Sequence, residues 1–207
     1  YRLSGIAFVD MMISSADTFI LPTLAIYFLT ISVFRREIDD HTMFLYRDIS
    51  RKKIFFAKYI SLISILIIFY VVFISIASTV YFTRVVTFPF ASKEFFEKDL
   101  ATTLTAIHEI YGIFLKDVFS VSVATLLCLF LNTGATMVSA VVLTITMMLT
   151  SLISGTVGFL FPNGYNRLLV DEVISIPQAF YGALGVTLIY ACILLFIGSK
   201  KFTQLEF

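Results

Sequence analysis

The stretch from Tyr59 to Thr83 reads YISLISILIIFYVVFISIASTVYFT and contains no Asp, Glu, Lys or Arg. A helix needs roughly 20 apolar residues, at about 1.5 Å each, to cross the hydrocarbon core of a bilayer. This stretch exceeds that length and therefore predicts a membrane-spanning helix. The whole chain agrees, because 59% of its 207 residues are hydrophobic and only 14% are charged. That composition is too apolar for a water-soluble surface.

Three further runs, 18–34, 118–166 and 173–199, also lack charged residues. The second is too long for one crossing, and Asn132-Thr133-Gly134 favours a turn within it. Lipid offers no hydrogen-bond partners and the runs lack the alternating pattern of a barrel, so helices must span. We predict an all-α integral membrane protein with one transmembrane domain over 1–207 and about five spans, at about 18–34, 54–82, 113–131, 135–154 and 178–199.

The positions of lysine and arginine predict the orientation of the spans. If the first span runs inward, the loops 35–53, 132–134 and 200–207 face the cytoplasm. These loops hold Arg35, Arg36, Arg47, Arg51, Lys52, Lys53, Lys200 and Lys201. The longer opposite loops hold only Arg2, Arg84, Lys93, Lys98 and Arg167. The density of basic residues is roughly four times higher in the first set, which predicts a cytoplasmic C-terminus.

The start of the sequence bears on the number of spans. Five spans place the two termini on opposite sides, and the sequence opens on Tyr1 within an apolar stretch. We expect one more spanning helix upstream, which would give six spans and two cytoplasmic termini. Residues 1–17 lack the basic start and cleavage site of a secretory signal.

Composition and motifs argue against several other classes of protein. The net charge is +1 and no basic run with interleaved aromatic residues occurs, so nucleic-acid binding is not expected. Cys128 and Cys192 fall inside predicted spans, where a thiol usually acts as a small hydrophobe, so neither a disulfide nor a metal site is implied. No Gly-rich phosphate loop ending in Gly-Lys-Ser/Thr is present, and we predict a non-catalytic chain that does not itself bind ATP in the usual way.

The loop between the first two spans, 34–58, reads FRREIDDHTMFLYRDISRKKIFFAK. Apolar positions recur at helical spacing within it, which predicts an amphipathic cytoplasmic helix at about 36–48. Ser50 is then placed to cap the next helix, which becomes purely apolar after Lys58. A simpler interpretation is that this loop only anchors two spans through contacts of Arg and Lys with lipid headgroups.

The same loop resembles the signature of type 2 ABC permeases. In that family a Glu follows the second span, a Thr follows a few residues later, and a Ser-Arg pair precedes a Lys in the third span. Two positions depart from the pattern, since His41 replaces the usual Gly and Asp48 the usual Pro. The matching positions are Glu37, Thr42, Ser50, Arg51 and Lys58.

The resemblance implies that this segment is a coupling helix, which seats in a groove of a separate ATPase subunit. Its apolar stripe would do the seating, and its charged residues would supply polar contacts. The expected ATPase-coupling residues are Glu37, Ile38, Asp39, Asp40, Thr42, Leu45, Arg47, Ser50, Arg51 and Lys58.

Two predicted external segments admit alternatives. In 83–112, the apolar residues of the second half have helical spacing, so this part either lies flat on the outer leaflet or extends the third helix. In about 155–176, glycine, proline and asparagine break helices. The resemblance implies a short re-entrant hairpin there before the last span, and a simple external loop is the alternative.

The resemblance also implies a translocation path between two permeases, lined by the first and fourth spans. Small and hydroxyl side chains in these spans have a plainer interpretation, because they also let membrane helices pack closely. None of the predicted spans has an acidic or basic residue in its middle, which argues against a carrier driven by protons or sodium. The expected path residues are Leu24, Tyr27, Thr30, Ser139, Thr146 and Thr150.

The sequence thus predicts the permease subunit of an ATP-driven exporter in a bacterial plasma membrane. Its expected partners are two ATPase subunits, which bind ATP and Mg, a second identical or related permease, and the lipid bilayer. The expected cargo is amphipathic or lipophilic, such as an antimicrobial or toxin-like peptide, which would link the protein to antibiotic resistance. The alternatives are an ion channel or secondary carrier, and a membrane anchor for a cytoplasmic partner.

Overall fold

A computed structural model describes residues 2–18, 21–39, 49–152 and 156–204 of the chain. Within these ranges the fold is helical, and the only β pairing is an isolated bridge between Leu3 and Ala91. Short 3-10 turns lie at Val85–Thr87 and Thr156–Leu160. The helices are α1 (Gly5–Thr18), α2 (Leu21–Asp39), α3 (Arg51–Thr83), α4 (Leu100–Leu127), α5 (Thr133–Leu152), α6 (Gly164–Val170) and α7 (Ile176–Gln204).

Four of these helices, α3, α4, α5 and α7, are long and apolar enough to cross a membrane. The bent pair α1 and α2 provides a fifth crossing if the two are counted as one span. The prediction of an all-α protein with about five spans is confirmed at this level. The helices have the character of a multi-pass membrane protein.

The bounds of two spans differ from the predicted ranges. Helix α4 begins at Leu100 rather than near 113, because Asp99 caps it: the Asp99 carboxylate accepts hydrogen bonds from the backbone N–H groups of Ala101 and Thr102. Hydrogen bonds from the side chain and backbone of Thr102, and then from Ala101, hold the pKa of Asp99 below its usual value. The second half of 83–112 is thus an extension of the span. The first predicted span, 18–34, corresponds to α2, and the separate α1 precedes it.

Helix α4 is the centre of the bundle. Within its most apolar window 61% of residues are buried, against 22%, 22% and 17% in α3, α5 and α7. The three outer helices expose apolar side chains, among them Ile68, Val142 and Ile193. Lipid tails accept such a surface without cost, so the exposure fits a bundle surrounded by lipid.

The two ends of the bundle differ in chemistry. We call the end where α2 and α7 terminate and α3 begins the basic end; Arg35, Arg51 and Lys200 lie there. At the opposite end, the connection 84–99 folds over the start of the chain. The backbone of Leu3 pairs with Phe90 and Ser92, and the Tyr81 hydroxyl donates to the carbonyl oxygens of Leu3 and Ser92.

Residues 156–170, which lie between α5 and α7, fold back on themselves. A Cβ atom on Gly164 would lie 2.3 Å from the carbonyl oxygen of Gly158, so the two arms meet at a distance that only glycine allows. Asn163 at the turn donates to the carbonyl oxygen of Met147, more than one helical turn before the end of α5. The Phe161 ring lies 6.0 Å from the Phe119 ring of α4. The turn therefore reaches well below the ends of its neighbouring helices.

Candidate functional site

Helices α1 and α2, which make a fifth crossing if they are counted as one span, are bent by 63° relative to each other, and we call the bend between them the interruption. Residues on both sides of the interruption, Asp17 of α1 and Pro22 of α2, line one small cavity. Tyr70 of α3 and Asp117 of α4 line the same cavity. The interruption therefore lies beside the interior of the bundle.

Tyr70 shows how deep this point is. It lies about 18 Å from Lys58 and about 21 Å from Arg84 along α3, at 1.5 Å per residue. Lysine and arginine at the two ends of an apolar helix mark the two membrane surfaces. Tyr70 and the interruption beside it therefore lie near the middle of the apolar stretch of α3, far from both of its charged ends.

Two carboxylates and one ammonium group meet at this depth, and we call Asp17, Lys116 and Asp117 the ion cluster. The Lys116 ammonium forms an ion pair with Asp17, and its Nζ lies 3.7 Å from Asp117 Oδ1. The Tyr70 hydroxyl donates to Asp117 Oδ2 at 2.7 Å. The side chains of Lys116 and Asp117 are 3% and 1% exposed. A charge at this depth costs several kcal/mol unless it is paired, so these contacts are what allow the residues to lie here.

The position of Lys116 also suits the end of α1. Asp17 lies in the last turn of that helix, where the backbone carbonyl groups carry partial negative charge. A lysine at a helix C-terminus interacts favourably with that charge. The ammonium group is therefore stabilised by the interrupted helix as well as by the Asp17 carboxylate.

A polar cleft of about 440 Å³ leads to the ion cluster. Helix α1 forms one wall, α5 and α6 form the other, and α4 forms the floor from Glu109 to Lys116. Along the floor this is a distance of about 10 Å. Arg167, whose side chain is 48% exposed, lies at the rim.

A second polar network lies along the same cleft, and Glu109 is its centre. The Glu109 carboxylate accepts hydrogen bonds from the Ser14 hydroxyl at 3.0 Å and from Asn166 Nδ2 at 3.1 Å. The Ser14 hydroxyl also lies 3.5 Å from Asp10 Oδ1. This network joins α1, α4 and α6, and it makes the cleft hydrophilic along its length.

The ion cluster corrects one prediction from the sequence. Lys116 and Asp117 lie well inside α4, so the statement that no span has a charge in its middle is wrong. The error arose because the third span was predicted to begin near 113, which would put Lys116 and Asp117 close to a membrane surface. Asp99 was the signal that could have found the true start, because it stands immediately before the helical pattern of 100–112.

Three of the predicted coupling residues, Glu37, Ile38 and Asp39, form the end of α2. Ser50 occupies the N-cap position of α3, but its side chain makes no capping hydrogen bond there. The position predicted for Ser50, immediately before α3, is therefore the observed one, and the backbone carbonyl of Ser50 rather than its side chain takes part in the first turn. The remaining coupling residues of the predicted helix, Asp40, Thr42, Leu45 and Arg47, lie outside the described residues.

Arg51 and Lys58 connect α3 to its neighbours at the basic end. Arg51 Nη1 donates to the carbonyl oxygen of Thr203 in α7 at 3.3 Å, and Lys58 Nζ donates to that of Val33 in α2 at 2.8 Å. Arg35 Nη1 donates to the carbonyl oxygens of Cys128 and Leu131, beyond the end of α4. Arg35 and Arg51 thus satisfy carbonyl groups at or beyond helix ends, whereas Lys58 reaches a carbonyl group inside α2.

The rings of Phe34, Phe55 and Phe202 form the buried centre of the basic end, each at 0% exposure. Their centroids are 5.6 to 6.3 Å apart. Gly198 allows close contact, because a Cβ atom there would lie 3.1 Å from Phe55. Helices α2, α3 and α7 are thus packed into one unit next to the predicted coupling segment.

The predicted path residues are divided between core and surface. Tyr27, Thr30 and Thr150 are buried, Leu24 and Ser139 are half-buried, and Thr146 is exposed. The hydroxyl groups of Thr30, Ser139 and Thr146 donate to carbonyl oxygens of their own helices, as in ordinary helix packing. None of the six lines the polar cleft, whose wall on α5 carries Met148 instead.

For the part of the chain that the structure describes, no group of three or more His, Cys, Asp or Glu side chains is arranged to hold a metal ion. The site is instead a set of opposed charges at the floor of a cleft. Such a set can bind a charged group, or it can take up and release a proton.

The fold and this site define a multi-pass membrane protein with ionisable side chains in its interior. Comparison of the chain with models of protein families, with curated proteins and with solved structures finds no match.

Proposed function

We propose that this protein is the permease subunit of an ATP-driven exporter of the type 2 ABC class. It would move an amphipathic or lipophilic cargo, such as an antimicrobial or toxin-like peptide, across a bacterial plasma membrane. The basic end would face the cytoplasm, in agreement with the distribution of lysine and arginine. ATP and Mg would bind to separate ATPase subunits.

The observation that carries a transport function is the interrupted span beside the ion cluster. Charges at this depth are costly, and helices that break near the middle of the bilayer are typical of sites where a transported species binds. A membrane anchor would need neither the break nor the cleft. Transport is therefore favoured over anchoring.

Support for the ATP-driven class comes from the basic end. The resemblance to type 2 ABC permeases lies in the segment between α2 and α3, and both ends of this segment join the Phe34, Phe55 and Phe202 unit. A displacement of the segment by an ATPase would thus reach α7 through the same rings. The contacts of Arg35 would pass the displacement on to the end of α4, the helix that also carries Lys116.

The segment 156–170 supports the same class. Its turn at Pro162 and Asn163 reaches Gly112 of α4 and Met147 of α5, below the ends of both helices. A re-entrant hairpin accounts for this depth better than a loop on the surface does. In the proposed assembly this hairpin forms the outer end of the pathway.

A second permease would complete the pathway. The cleft is open on the side between α1 and the pair α5 and α6, and charged groups such as Arg167 and Glu109 line it. Lipid tails solvate such groups poorly. A second identical or related subunit placed across this side would enclose a polar route between the two chains.

A proton-coupled secondary carrier is the second candidate function, and the ion cluster itself favours it. Such carriers keep acidic residues at depth and couple their protonation to movement of the cargo. A carrier of this kind would work without an ATPase subunit. The two candidates therefore differ in the partner that they require.

The test is to purify the protein in a mild detergent from its native membrane and to identify the proteins bound to it by mass spectrometry. The proposal predicts a stoichiometric ATPase with a phosphate-binding loop. Arg51→Ala should uncouple ATP hydrolysis from transport, whereas Arg84→Ala at the opposite end is the matched control and should not. Repeated purification without any ATPase would refute the ATP-driven class and leave the carrier.

A further inference from the structure

The ion cluster has one more carboxylate than ammonium groups. Asp17 on α1 and Asp117 on α4 both adjoin Lys116, and the neutral Tyr70 hydroxyl approaches from α3. If all three ionisable groups were charged, the cluster would carry a net charge of −1 near the middle of the bilayer. An uncompensated charge in such a place is strongly unfavourable, so a further positive charge is favoured.

Asp117 is the member of the cluster with an open acceptor. Tyr70 donates to its Oδ2, but among the described residues Oδ1 receives no hydrogen bond, although the side chain is only 1% exposed. Lys116 Nζ lies 3.7 Å from this oxygen, beyond hydrogen-bond range, and pairs with Asp17 instead. A buried carboxylate oxygen that accepts no hydrogen bond is unfavourable. A proton bound to that oxygen neutralises the carboxylate and lowers the cost of burying it.

A route for the proton is present beside this oxygen. Asp117 lines a cavity of about 10 Å³, roughly the volume that one water molecule needs. Asp17 and Ile113 line both this small cavity and the polar cleft, so the two spaces adjoin at these two side chains. Glu109 and Asp10 lie further out along the cleft and Arg167 at its rim, so polar groups continue toward the surface.

We propose that the ion cluster is a proton-binding site, which holds one exchangeable proton on Asp117 Oδ1. The proton comes from water in the cleft and returns to it. Because two carboxylates share one ammonium group, the number of protons that the cluster holds follows its charge balance. This site goes beyond the proposed function, since it requires only the ion cluster and the cleft.

Infrared spectroscopy of the full chain tests the charge balance directly. A protonated carboxyl group has a C=O stretching band that is separate from the bands of carboxylates. A detergent without ester groups has no C=O band in that region, so only the protein absorbs there. We expect such a band at neutral pH in the unmodified protein. It should be lost in Asp117→Asn and retained in Asp99→Asn, the control at an exposed aspartate.

Further variants separate charge balance from a simple loss of one residue. Lys116→Met leaves two carboxylates without a cation, so the band of the cluster should grow about twofold. Asp17→Asn should abolish the band although Asp117 is still present, because Lys116 is then free to pair with Asp117. Asp17→Asn combined with Lys116→Met should restore it, and this double variant also serves if Lys116→Met does not fold.

Transfer to heavy water tests the exchange. The band should shift to the position of the deuterated group, because the cleft gives water access to the cluster. A band that stays unshifted after long incubation would refute exchange. A spectrum that Asp117→Asn leaves unchanged, or one that Asp17→Asn does not affect, would refute the site itself, and neither result depends on an ATPase partner.

Discussion

The basic end and the ion cluster handle buried polar groups in opposite ways. At the basic end, Arg35, Arg51 and Lys58 donate to backbone carbonyl oxygens around a compact set of phenylalanine rings. In the ion cluster, two carboxylates compete for one ammonium group, and an oxygen of Asp117 is without a hydrogen bond among the described residues. The first arrangement pairs each cation with backbone carbonyl oxygens, and the second leaves one carboxylate without a cation of its own.

Charge reversal in the ion cluster should have the largest effect. Lys116→Glu would place three acidic side chains together in the interior, and breaking a buried ion pair alone costs about 3–5 kcal/mol. We expect almost no folded protein, measured as the monodisperse fraction in size-exclusion chromatography. Lys98→Glu, on the connection 84–99, is the matched control and should keep the normal yield. Normal folding of Lys116→Glu would show that Lys116 is not buried in the way described.

The basic end should respond next most strongly, to the loss of a central ring. Phe55→Ala removes a fully buried side chain that contacts Phe34, Phe202 and Gly198. The resulting cavity should lower the free energy of unfolding by about 3 kcal/mol, measured by thermal unfolding in detergent. The adjacent Phe56 is 40% exposed, so Phe56→Ala should have little effect. Equal losses at the two positions would contradict the packing of the basic end.

Two glycines of α7 test the packing of the folded-back segment 156–170. A Cβ atom on Gly182 would lie 2.2 Å from Cε1 of Tyr165, whereas nothing lies within 4 Å of a Cβ atom on Gly185. Gly182→Ala should therefore destabilise the protein by about 1–3 kcal/mol. Gly185→Ala should be neutral or slightly stabilising, because alanine favours helices. If thermal unfolding gives the same result for both, the segment does not pack on α7 as described.

A smaller effect is expected from the hydroxyl group in the ion cluster. Tyr70→Phe keeps the ring and removes the hydrogen bond to Asp117, which should cost about 1–2 kcal/mol. Tyr181 is 76% exposed, so Tyr181→Phe is the control and should leave the stability unchanged. Denaturant or thermal unfolding in detergent measures both. A loss no larger at Tyr70 than at Tyr181 would mean that the hydroxyl group does not support the cluster.

The smallest predicted effect concerns the start of α4. The hydrogen bonds from Thr102 and Ala101 lower the pKa of Asp99, so its charged form stabilises the folded state above the unfolded pKa near 3.8. This contribution should disappear as the pH falls through the lowered pKa. Asp99→Ala should therefore reduce the melting temperature slightly at neutral pH and have no effect at a pH below both values. A difference that persists in strong acid would contradict the role of the charged cap.

The sequence was sufficient for the class of fold, because runs such as 59–83 have only one stable arrangement in lipid. It was also sufficient to draw attention to the basic end, where the charges stand at the edges of those runs. It did not predict the ion cluster. Lys116 and Asp17 are 99 residues apart along the chain, and their pairing depends on the break before α2 and on the early start of α4. Neither residue belongs to a motif, so only the packing of α1 against α4 brings them together.

The depth of the ion cluster and its access to water are the central claim, and thiol labelling tests both. In a chain with Cys128→Ala and Cys192→Ala, a cysteine is placed at Thr18, which lines the cleft, or at Val71, which is 58% exposed on α3 next to Tyr70. A thiol reacts as the thiolate and therefore needs water. We predict that a membrane-impermeant maleimide labels Thr18→Cys in intact membranes and leaves Val71→Cys, which faces lipid at similar depth, unlabelled. Equal labelling of the two, or an unreactive Thr18→Cys, would contradict a water-filled cleft that reaches the middle of the membrane.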